Sequence, residues 1–188
     1  MSTLREIGTG IRVSVFFWIA CGLVYPLIFT GFAQIAFPNQ ANGSLVRNTQ
    51  GEAIGSHLIG QKFTSERYFQ GRPSSIDYKA EASGASQLAP TNKTLIERVK
   101  TDTASLTKLN GTKPTIDLVT TSGSGLDPDI TPSGAAVQVE RVAKARGLDP
   151  ETLRKLIAEH TEGRFLGIFG EARVNVLALN LALDGLKK

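Results

Sequence analysis

The hydrophobic and polar positions divide the chain sharply, because residues 13–46 carry no charge while the rest of the sequence is mixed. The apolar heart of this run, residues 13–37, reads VSVFFWIACGLVYPLIFTGFAQIAF. As a helix rising ~1.5 Å per residue, this segment reaches about 37 Å, against a bilayer hydrocarbon core of ~30 Å. The pattern therefore predicts a single transmembrane helix over residues 13–37.

Three other interpretations of this run fit less well. A cleaved signal peptide has a shorter apolar stretch that ends in small residues, whereas this run ends in Ala36, Phe37 and Pro38. A lipoprotein signal would have its cysteine at the end of a short apolar stretch, but Cys21 lies in the middle of the run. A buried helix of a soluble domain rarely needs such a length without a charge.

The charges that flank the run predict its orientation. Arg5 and Arg12 precede it, and the first charge beyond it is Arg47. Short basic flanks stay in the cytoplasm. The sequence therefore predicts a cytoplasmic N-terminus at residues 1–12 and an extracytoplasmic domain at residues 38–188.

One side of the predicted span is small or weakly polar. Gly22, Pro26 and Thr30 recur at every fourth residue, and such residues mark surfaces where membrane helices pack closely. We expect this face to contact a helix of another subunit, which would also cover the irregularity at Tyr25 and Pro26. The alternative is a free anchor that contains an incidental glycine and proline.

Composition narrows the classes of function. The 188 residues include one cysteine, Cys21, and carry a net charge of +4. This charge is too small for a nucleic-acid-binding protein, and the part beyond the span is long enough for one domain with its own core. Because that part has no cysteine, it forms no disulfide, which fits a bacterial periplasm better than an animal cell surface. We therefore expect a single-pass protein of the bacterial inner membrane.

The residues beyond the span predict a mixed α/β (α+β) domain with more helix than strand. A hairpin is predicted from residues 44–47 and 52–55, a strand at 116–121, and helices at 91–109 capped by Thr91, from Ser133 to about Gly147, from Asp149 and Pro150 onward, and at 173–186. The last helix is the most densely apolar. We expect it to be the core helix of the domain.

A long irregular stretch, residues 56–90, separates the hairpin from the first of these helices. It contains the cluster RYFQGRP at residues 67–73. Loops of this length in a compact domain are usually functional or disordered, and aromatic and arginine side chains are typical interface anchors. Two interpretations stay open, because the cluster either contacts a partner or pins the loop to the domain's own core.

No set of catalytic residues is recognisable. The sequence lacks the GxxxxGK[ST] phosphate loop, which argues against nucleotide hydrolysis by this chain alone. Ser124 lacks the glycine that a nucleophile elbow has two residues earlier. His57 and His160 are far apart and have no cysteine partner beyond the span, which argues against a zinc site. The polar residues near the C-terminus, interpreted as structural ion pairs rather than a site, are His160, Glu162, Arg164 and Arg173.

The strongest candidate for binding chemistry is a loop rich in serine and glycine. Its residues are Ser122, Gly123, Ser124 and Gly125. The loop follows the predicted strand and precedes a predicted helix that carries Gln138. Backbone N–H groups in such a loop, beside a helix N-terminus, can bind a phosphate group. The alternative is that a tight turn simply needs small residues.

A series of motifs along nearly the whole chain resembles one family, KdpC, the C subunit of the Kdp potassium-transporting P-type ATPase. The series comprises YPL at 25–27, ANGSLV at 41–46, GSxLIGQxF at 55–63, YFxGRPS at 68–74, PTN at 90–92, DLVTxSGSGLDP at 117–128, Gln138, RVAxAR at 141–146, HTE at 160–162 and RVNVLxLN at 173–180. The departures are small and lie in or after the aromatic cluster, at Gln70, Ala85 and Ala89.

The resemblance implies a subunit of a potassium-import complex. Its partners would be a channel-like potassium-binding subunit, an ATP-hydrolysing subunit and a small membrane peptide. The resemblance implies no catalysis by this subunit and no tightly bound cofactor, but a role in assembly. It also implies a proposed role as a catalytic chaperone that raises the ATP affinity of the pump subunit, with ATP at residues 122–125 and Gln138 likened to the signature glutamine of ABC transporters.

The predicted orientation conflicts with direct ATP binding. The basic residues Arg5 and Arg12 place residues 38–188 outside, where cytoplasmic ATP is absent. We therefore favour a periplasmic domain over the potassium entrance that stabilises the channel subunit. A nucleotide-binding regulator that acts through residues 122–125 and Gln138 is the alternative. An anchored periplasmic enzyme has no supporting residues.

Overall fold

The computed structural model describes residues 2–186, so residues 1, 187 and 188 of the predicted terminal segments lie outside the described residues. The chain divides into two compact units, Met1–Leu45 and Val46–Lys188. Each unit is described by itself below.

The first unit is a nearly continuous helix. It consists of α1 (Ser2–Ile19), a π-helical turn (Ala20–Val24), α2 (Tyr25–Ala36) and the short α3 (Pro38–Ala41). The segment Thr3–Ala36 is long and apolar enough to cross a membrane, which confirms the predicted spanning helix. The helix begins well before residue 13, so most of the predicted N-terminal segment is helical as well. The cytoplasmic placement of residues 1–12 stays a prediction.

The π turn has a local cause in Pro26. The ring of a proline clashes with the carbonyl group four residues earlier, which is that of Gly22, and proline has no N–H to donate. A wider turn relieves this clash, and the Tyr25 N–H accordingly bonds to the carbonyl oxygen of Ala20, five residues back. The predicted irregularity at Tyr25 and Pro26 is therefore present in the structure.

The second unit combines helices with two small sheets, which confirms the predicted mixed α/β (α+β) class. The helices are α4 (Lys93–Asn110), α5 (Ile116–Val119), α6 (Pro132–Ala136), α7 (Val139–Arg146), α8 (Pro150–Glu159) and α9 (Val176–Gly185), and the strands are β1 (Leu45–Arg47), β2 (Ala53–Ser56), β3 (Asp129–Ile130), β4 (Thr161–Glu162) and β5 (Arg173–Asn175). The pair β1 and β2 confirms the predicted hairpin. The extracytoplasmic placement of this domain stays a prediction.

The predicted strand at residues 116–121 is wrong. Residues Ile116–Val119 form the short helix α5, in which the Thr120 N–H bonds to the carbonyl oxygen of Ile116 at 3.0 Å. Leu118 and Val119 are buried while Ile116 is exposed. Tertiary packing of these two side chains therefore outweighs the strand preference of isoleucine, valine and threonine.

Three helix starts differ from their predictions, each because of the residue that caps the helix. Helix α6 is capped by Thr131 rather than Ser133, since Pro132 takes the first helical position and the Thr131 hydroxyl accepts the Gly134 N–H at 2.9 Å. Helix α4 is capped by Asn92 rather than Thr91. The helix predicted at 173–186 begins only at Val176, because Asn175 caps it and residues 173–175 form β5.

The core lies where helices α6 to α9 meet the three-stranded sheet of order β3-β5-β4. Ile130 and Thr161 are both registered with Val174 in antiparallel pairs. Side chains with no exposed surface include Phe69, Val139, Val142, Leu153, Val174, Leu179 and Leu183. Helix α9 supplies Leu179 and Leu183, which confirms it as a core helix.

Candidate functional site

The predicted Gln138 lies at the centre of the domain, between α6 and α7. Its side chain is only 1% exposed. Its carbonyl oxygen accepts the Gln70 N–H at 2.8 Å and an N–H of Arg141 at 2.7 Å. Its amide nitrogen donates to the carbonyl oxygens of Gln70 and Gly134 at 3.0 and 3.1 Å. A glutamine amide has two donors and two principal acceptor positions, so the neighbouring protein groups use the full capacity of Gln138.

Arg141, one turn later on α7, extends this buried network. Its Nε donates to Asn110 at 2.8 Å, and its Nη1 donates to the carbonyl oxygens of Glu66 and Tyr68 at 2.5 and 3.0 Å. Burial lowers the pKa of the Arg141 guanidinium, and the nearby charge of Glu66 opposes this shift. Because carbonyl oxygens and neutral amides surround it, the guanidinium acts as a structural clamp on residues 66–70.

The aromatic cluster at residues 67–73 packs against the domain's own core, which is the second of the two interpretations left open by the sequence. Phe69 is fully buried and lies in the core cluster. The Tyr68 hydroxyl donates to Asp184 at 3.0 Å, and the guanidinium of Arg146 lies 4.7 Å from the Tyr68 ring centroid. Arg146 also donates to the carbonyl oxygen of Arg67 at 2.8 Å.

The serine- and glycine-rich loop is an internally bonded turn. The Ser122 hydroxyl accepts the Gly125 N–H at 2.8 Å, and the Ser124 hydroxyl accepts the Leu126 N–H at 3.1 Å. Gly125 has a φ of +68°, and a Cβ atom there would lie 2.7 Å from Ile76. Two backbone donors of the turn are thus bonded to its own hydroxyl groups. This geometry agrees with the interpretation that a tight turn needs small residues.

The loop packs on the segment 74–84 rather than on a helix end. The Gly84 N–H donates to the carbonyl oxygen of Ser124 at 2.8 Å, and the Ser74 hydroxyl donates to that of Gly125 at 2.7 Å. The loop is followed by strand β3 and not directly by a helix. The sequence predicted a helix N-terminus beside the loop. The next helix is α6, which starts only at Pro132, after β3.

Among the described residues, no hydrogen bond joins Gln138 to the serine- and glycine-rich loop. The two are connected indirectly, through residues 70–72, which bond to Gln138 at one end and next to the loop at the other. Gln138 bonds to Gln70, and Arg72, two residues on, bonds to Asp127 at 2.7 Å and to the carbonyl oxygen of Thr121 at 3.4 Å. In the part of the chain that the structure describes, no group of three or more His, Cys, Asp or Glu side chains is placed to hold a metal ion. Nucleotide binding by these residues stays a prediction from the resemblance.

Asn180 also belongs to this network, because its side-chain amide bonds to the backbone of Phe69. Sequence reasoning missed Asn180 and Arg141 as individual residues and noted them only within motifs. The signal for Asn180 is its position in the run VLALNLAL, where it is the one polar residue. It is 2% exposed in the structure. A lone amide in an apolar helix indicates a buried hydrogen-bond partner, because an unpaired buried amide is costly.

The C-terminal polar residues form ion pairs, as interpreted from the sequence. Arg173 lies 2.7 Å from Glu162, and Arg164 lies 2.9 Å from Glu171. All four side chains are half or more exposed. His160 makes no ion pair with any described residue.

The predicted partner-helix face of the span is open in the structure. Gly22, Pro26 and Thr30 are exposed, and a Cβ atom at Gly22 would meet nothing within 4 Å. Beside Gly22, the carbonyl group of Cys21 has lost its usual donor. The Tyr25 N–H is bonded to Ala20 instead, and Pro26, the next residue, has no N–H.

Comparison with known proteins identifies the family. The family model described as KdpC, K+-transporting ATPase, c chain, matches residues 7–185. The chain is 76% identical over 188 residues to a potassium-transporting ATPase KdpC subunit of Gloeobacter violaceus, with both chains fully covered. It is 50% identical over 200 residues to KdpC subunit 1 of a Nostoc species, covering 100% of this chain and 99% of the relative.

A third relative gives the same result. A potassium-transporting ATPase KdpC subunit of Bacillus cereus is 55% identical over 182 residues, covering 95% of this chain and 94% of the relative. The match thus includes both the spanning helix and the domain with its buried network. The chain belongs to the KdpC family, the c chain of the K+-transporting ATPase.

Proposed function

We propose that the chain is a non-catalytic accessory subunit that stabilises the assembled potassium pump in the bacterial inner membrane. Residues 1–12 lie in the cytoplasm, the span docks on other subunits, and the domain stands in the periplasm over the potassium entrance. The partners are the channel-like potassium-binding subunit, the ATP-hydrolysing subunit and the small membrane peptide. Any effect on ATP affinity then reaches the ATP-hydrolysing subunit through the stabilised complex.

One observation carries the choice of an accessory role over direct nucleotide binding. The side-chain amide of Gln138 is buried and bonded on every side, to Gln70, Gly134 and Arg141. A nucleotide could reach this amide only by breaking those bonds, and each buried group left unpaired costs about 1–3 kcal/mol. Gln138 thus supports the fold of residues 66–70 and is poorly placed to recognise a ligand.

The spanning helix supports docking within the membrane. The carbonyl group of Cys21 lacks its usual helical donor, and an unsatisfied backbone group in hydrocarbon costs several kcal/mol. Gly22 leaves room beside this carbonyl for the close approach of another helix. A hydroxyl or amide group on a partner helix would satisfy the Cys21 carbonyl at this point.

The docking face is tested by substituting Gly22→Leu. Because nothing within the chain lies near a Cβ atom at Gly22, the larger side chain leaves the helix itself intact and blocks only an outside partner. Gly31→Leu is the matched control, since Gly31 is equally open and lies about 140° around the helix from Pro26. We expect Gly22→Leu, but not Gly31→Leu, to release the chain from the purified pump. Equal recovery of both variants would contradict the proposed face.

The orientation is tested with a cysteine at Ser133 in a Cys21→Ser background. Ser133 is exposed at the start of α6. A membrane-impermeant thiol reagent, applied to intact cells with a permeabilised outer membrane, should label this cysteine without lysis. Labelling only after lysis would place the domain in the cytoplasm and restore direct ATP binding as the leading function.

A further inference from the structure

The largest exposed apolar cluster in the described part of the domain is the tip of a loop at residues 163–170, GRFLGIFG, named here the apolar loop. Its large side chains Phe165, Leu166, Ile168 and Phe169 are 72%, 74%, 73% and 63% exposed. Other exposed large apolar residues of the described domain, such as Leu58 and Ile116, are not adjacent in sequence to a second one. Single exposed apolar residues are ordinary, whereas a cluster marks an interaction surface.

The size of the cluster is sufficient for an anchor. Four side chains of this kind, each more than three-fifths exposed, present on the order of 500 Å² of apolar surface, which is near the upper end of patches on monomeric proteins. Aromatic side chains are enriched among the residues that dominate binding energy at interfaces. Phe165 and Phe169 are therefore the expected anchors.

The backbone of the apolar loop is fixed by its own hydrogen bonds. Phe165 and Phe169 exchange N–H to carbonyl bonds at 2.8 and 3.0 Å, and the Gly167 N–H donates to the carbonyl oxygen of Arg164 at 3.0 Å. Leu166 has a φ of +54°, a left-handed conformation that is unfavourable for leucine. A loop held in one shape loses little conformational freedom on binding, which favours a partner with a matching pocket.

The charges at the base of the apolar loop favour a protein partner over the bilayer. Arg164 pairs with Glu171 at 2.9 Å, and Arg173 pairs with Glu162 at 2.7 Å. The base therefore has no net positive charge. Amphipathic segments that bind a membrane surface typically combine apolar side chains with an excess of basic residues that attract anionic lipids.

We propose that the apolar loop docks, through Phe165 and Phe169, into an apolar pocket on the extramembrane surface of another subunit of the same pump. This inference rests on the proposed function, because it needs the assembled complex. It concerns a surface of the domain and is independent of the docking face of the span. The pocket should carry polar groups at its rim that match the paired charges of Arg164 and Glu171.

The direct test is photocrosslinking from the apolar loop. p-Benzoylphenylalanine is introduced at Phe165 of the full chain, and the complex is isolated through an affinity tag on another subunit and irradiated. The matched control carries the same group at Ile116, which is 80% exposed and lies between the polar residues Thr115 and Asp117 in the sequence. We expect a covalent product with a pump subunit that is several-fold stronger from Phe165 than from Ile116.

Two results would overturn docking of the loop while leaving the proposed function intact. The first is a protein crosslink from Phe165 no stronger than that from Ile116, and the second is labelling of lipid in place of protein. Failure to recover the chain with the tagged subunit would overturn the proposed function, and docking of the loop with it.

A double substitution gives a second readout. Phe165→Ser with Phe169→Ser should lower co-purification of the chain with the pump by about tenfold or more, the loss typical of a removed aromatic anchor. Both side chains are largely exposed, so the domain should unfold at an unchanged temperature. Leu58→Ser with Ile116→Ser is the matched control and should leave recovery unchanged. Equal recovery of the two double variants would argue against the proposal.

Discussion

The side-chain amide of Asn180 pairs with the backbone of Phe69 as a neighbouring β-strand would. The Phe69 N–H donates to the Asn180 oxygen, and the Asn180 amide donates to the Phe69 carbonyl oxygen, both at 2.9 Å. Gln138 makes the same two-way pairing with the next residue, Gln70. Two side-chain amides, one from α9 and one from the residue directly before α7, thus hold an extended segment that no described strand pairs with.

Replacing Asn180 should therefore destabilise the whole domain. Asn180→Leu keeps the size of the side chain but leaves the buried N–H and carbonyl groups of Phe69 unpaired, at about 1–3 kcal/mol each. We expect the free energy of unfolding of the full chain in detergent to fall by roughly 2 to 6 kcal/mol. Gln50→Ala, which removes an exposed amide, is the control. A loss for Asn180→Leu no larger than that of the control would contradict the pairing.

Gln138→Ala separates a structural role from nucleotide recognition. On the accessory proposal, the substitution destabilises the fold because Gln70, Gly134 and Arg141 lose their partner, at about 1–3 kcal/mol for each buried group left unpaired. Any labelling of this chain by an azido-ATP analogue should then fall only in proportion to the folded fraction. The measurement is labelling per folded molecule in the complex. A selective loss of labelling in a fully folded variant would instead support direct nucleotide binding.

Two glycines of the serine- and glycine-rich loop should differ in their tolerance of alanine. Gly125 has a positive φ, and a Cβ atom there would lie 2.8 Å from the Gly84 carbonyl oxygen. Gly123, two residues earlier, has an ordinary φ and open space around its Cβ position. We expect Gly125→Ala to lower the free energy of unfolding by about 1–3 kcal/mol and Gly123→Ala to change it little, as measured by urea unfolding. If the loop binds a phosphate closely, Gly123→Ala should impair that binding without unfolding the protein.

The sequence predicted most element positions but not the way in which the site is held. Apolar residues located the span, α4 and α9, because a long apolar pattern is stable only where the membrane or the protein core covers its apolar side chains. It misassigned residues 116–121, because the helix that forms there, Ile116–Val119, is too short to show a helical period, and tertiary packing decides its conformation. The caps of two helices lie one or two residues from their predicted positions, because a neighbouring Asn or Thr is the better cap, at Asn92 instead of Thr91 and at Thr131 instead of Ser133.

In the candidate site, the features that depend on residues close in sequence were predicted, and those that depend on distant residues were not. The tight turn at residues 122–125 was visible in its composition, since local hydrogen bonds and small residues determine it. The burial of Gln138 was not visible, because its partner Gln70 lies far away in sequence. The exposure of the apolar loop was not predicted either, because the run FLGIF is typical of a buried segment. Only the structure shows that Phe165 and its neighbours are exposed.

Asp129 should make the stability of the domain depend on pH. Burial raises the pKa of its carboxyl group, the charge of Asp127 adds to the shift, and Arg173 at 3.2 Å opposes it. With a raised pKa the folded state holds the proton more tightly than the unfolded state, whose value is about 3.9. The stabilisation by that proton is complete below this value and is lost as pH rises through the native pKa.

The measurement compares wild type with Asp129→Asn, which mimics the neutral form. The free energy of unfolding of wild type minus that of the variant should fall as pH rises from about 4 to the raised native pKa, and then stay level. Arg173→Met removes the opposing charge, so in that background the fall should extend to higher pH. A difference that rises with pH would mean that the ion pair with Arg173 outweighs burial.

Pro26→Ala tests the π turn with two readouts of opposite sign. The restored N–H can bond to the Gly22 carbonyl group, so the helix should become regular and more stable by up to ~3 kcal/mol. The same change rotates the residues before the π turn about the helix axis relative to the residues after it, which moves Gly22 out of line with Thr30. We therefore expect slower amide exchange at Tyr25 in the isolated chain but weaker recovery with the pump.

Pro38→Ala is the control, because a proline at the first position of α3 costs no helical bond. Since a misfolded variant could not show slower exchange, weaker recovery in Pro26→Ala would report the geometry of docking, and undiminished recovery would show that the turn has no part in it.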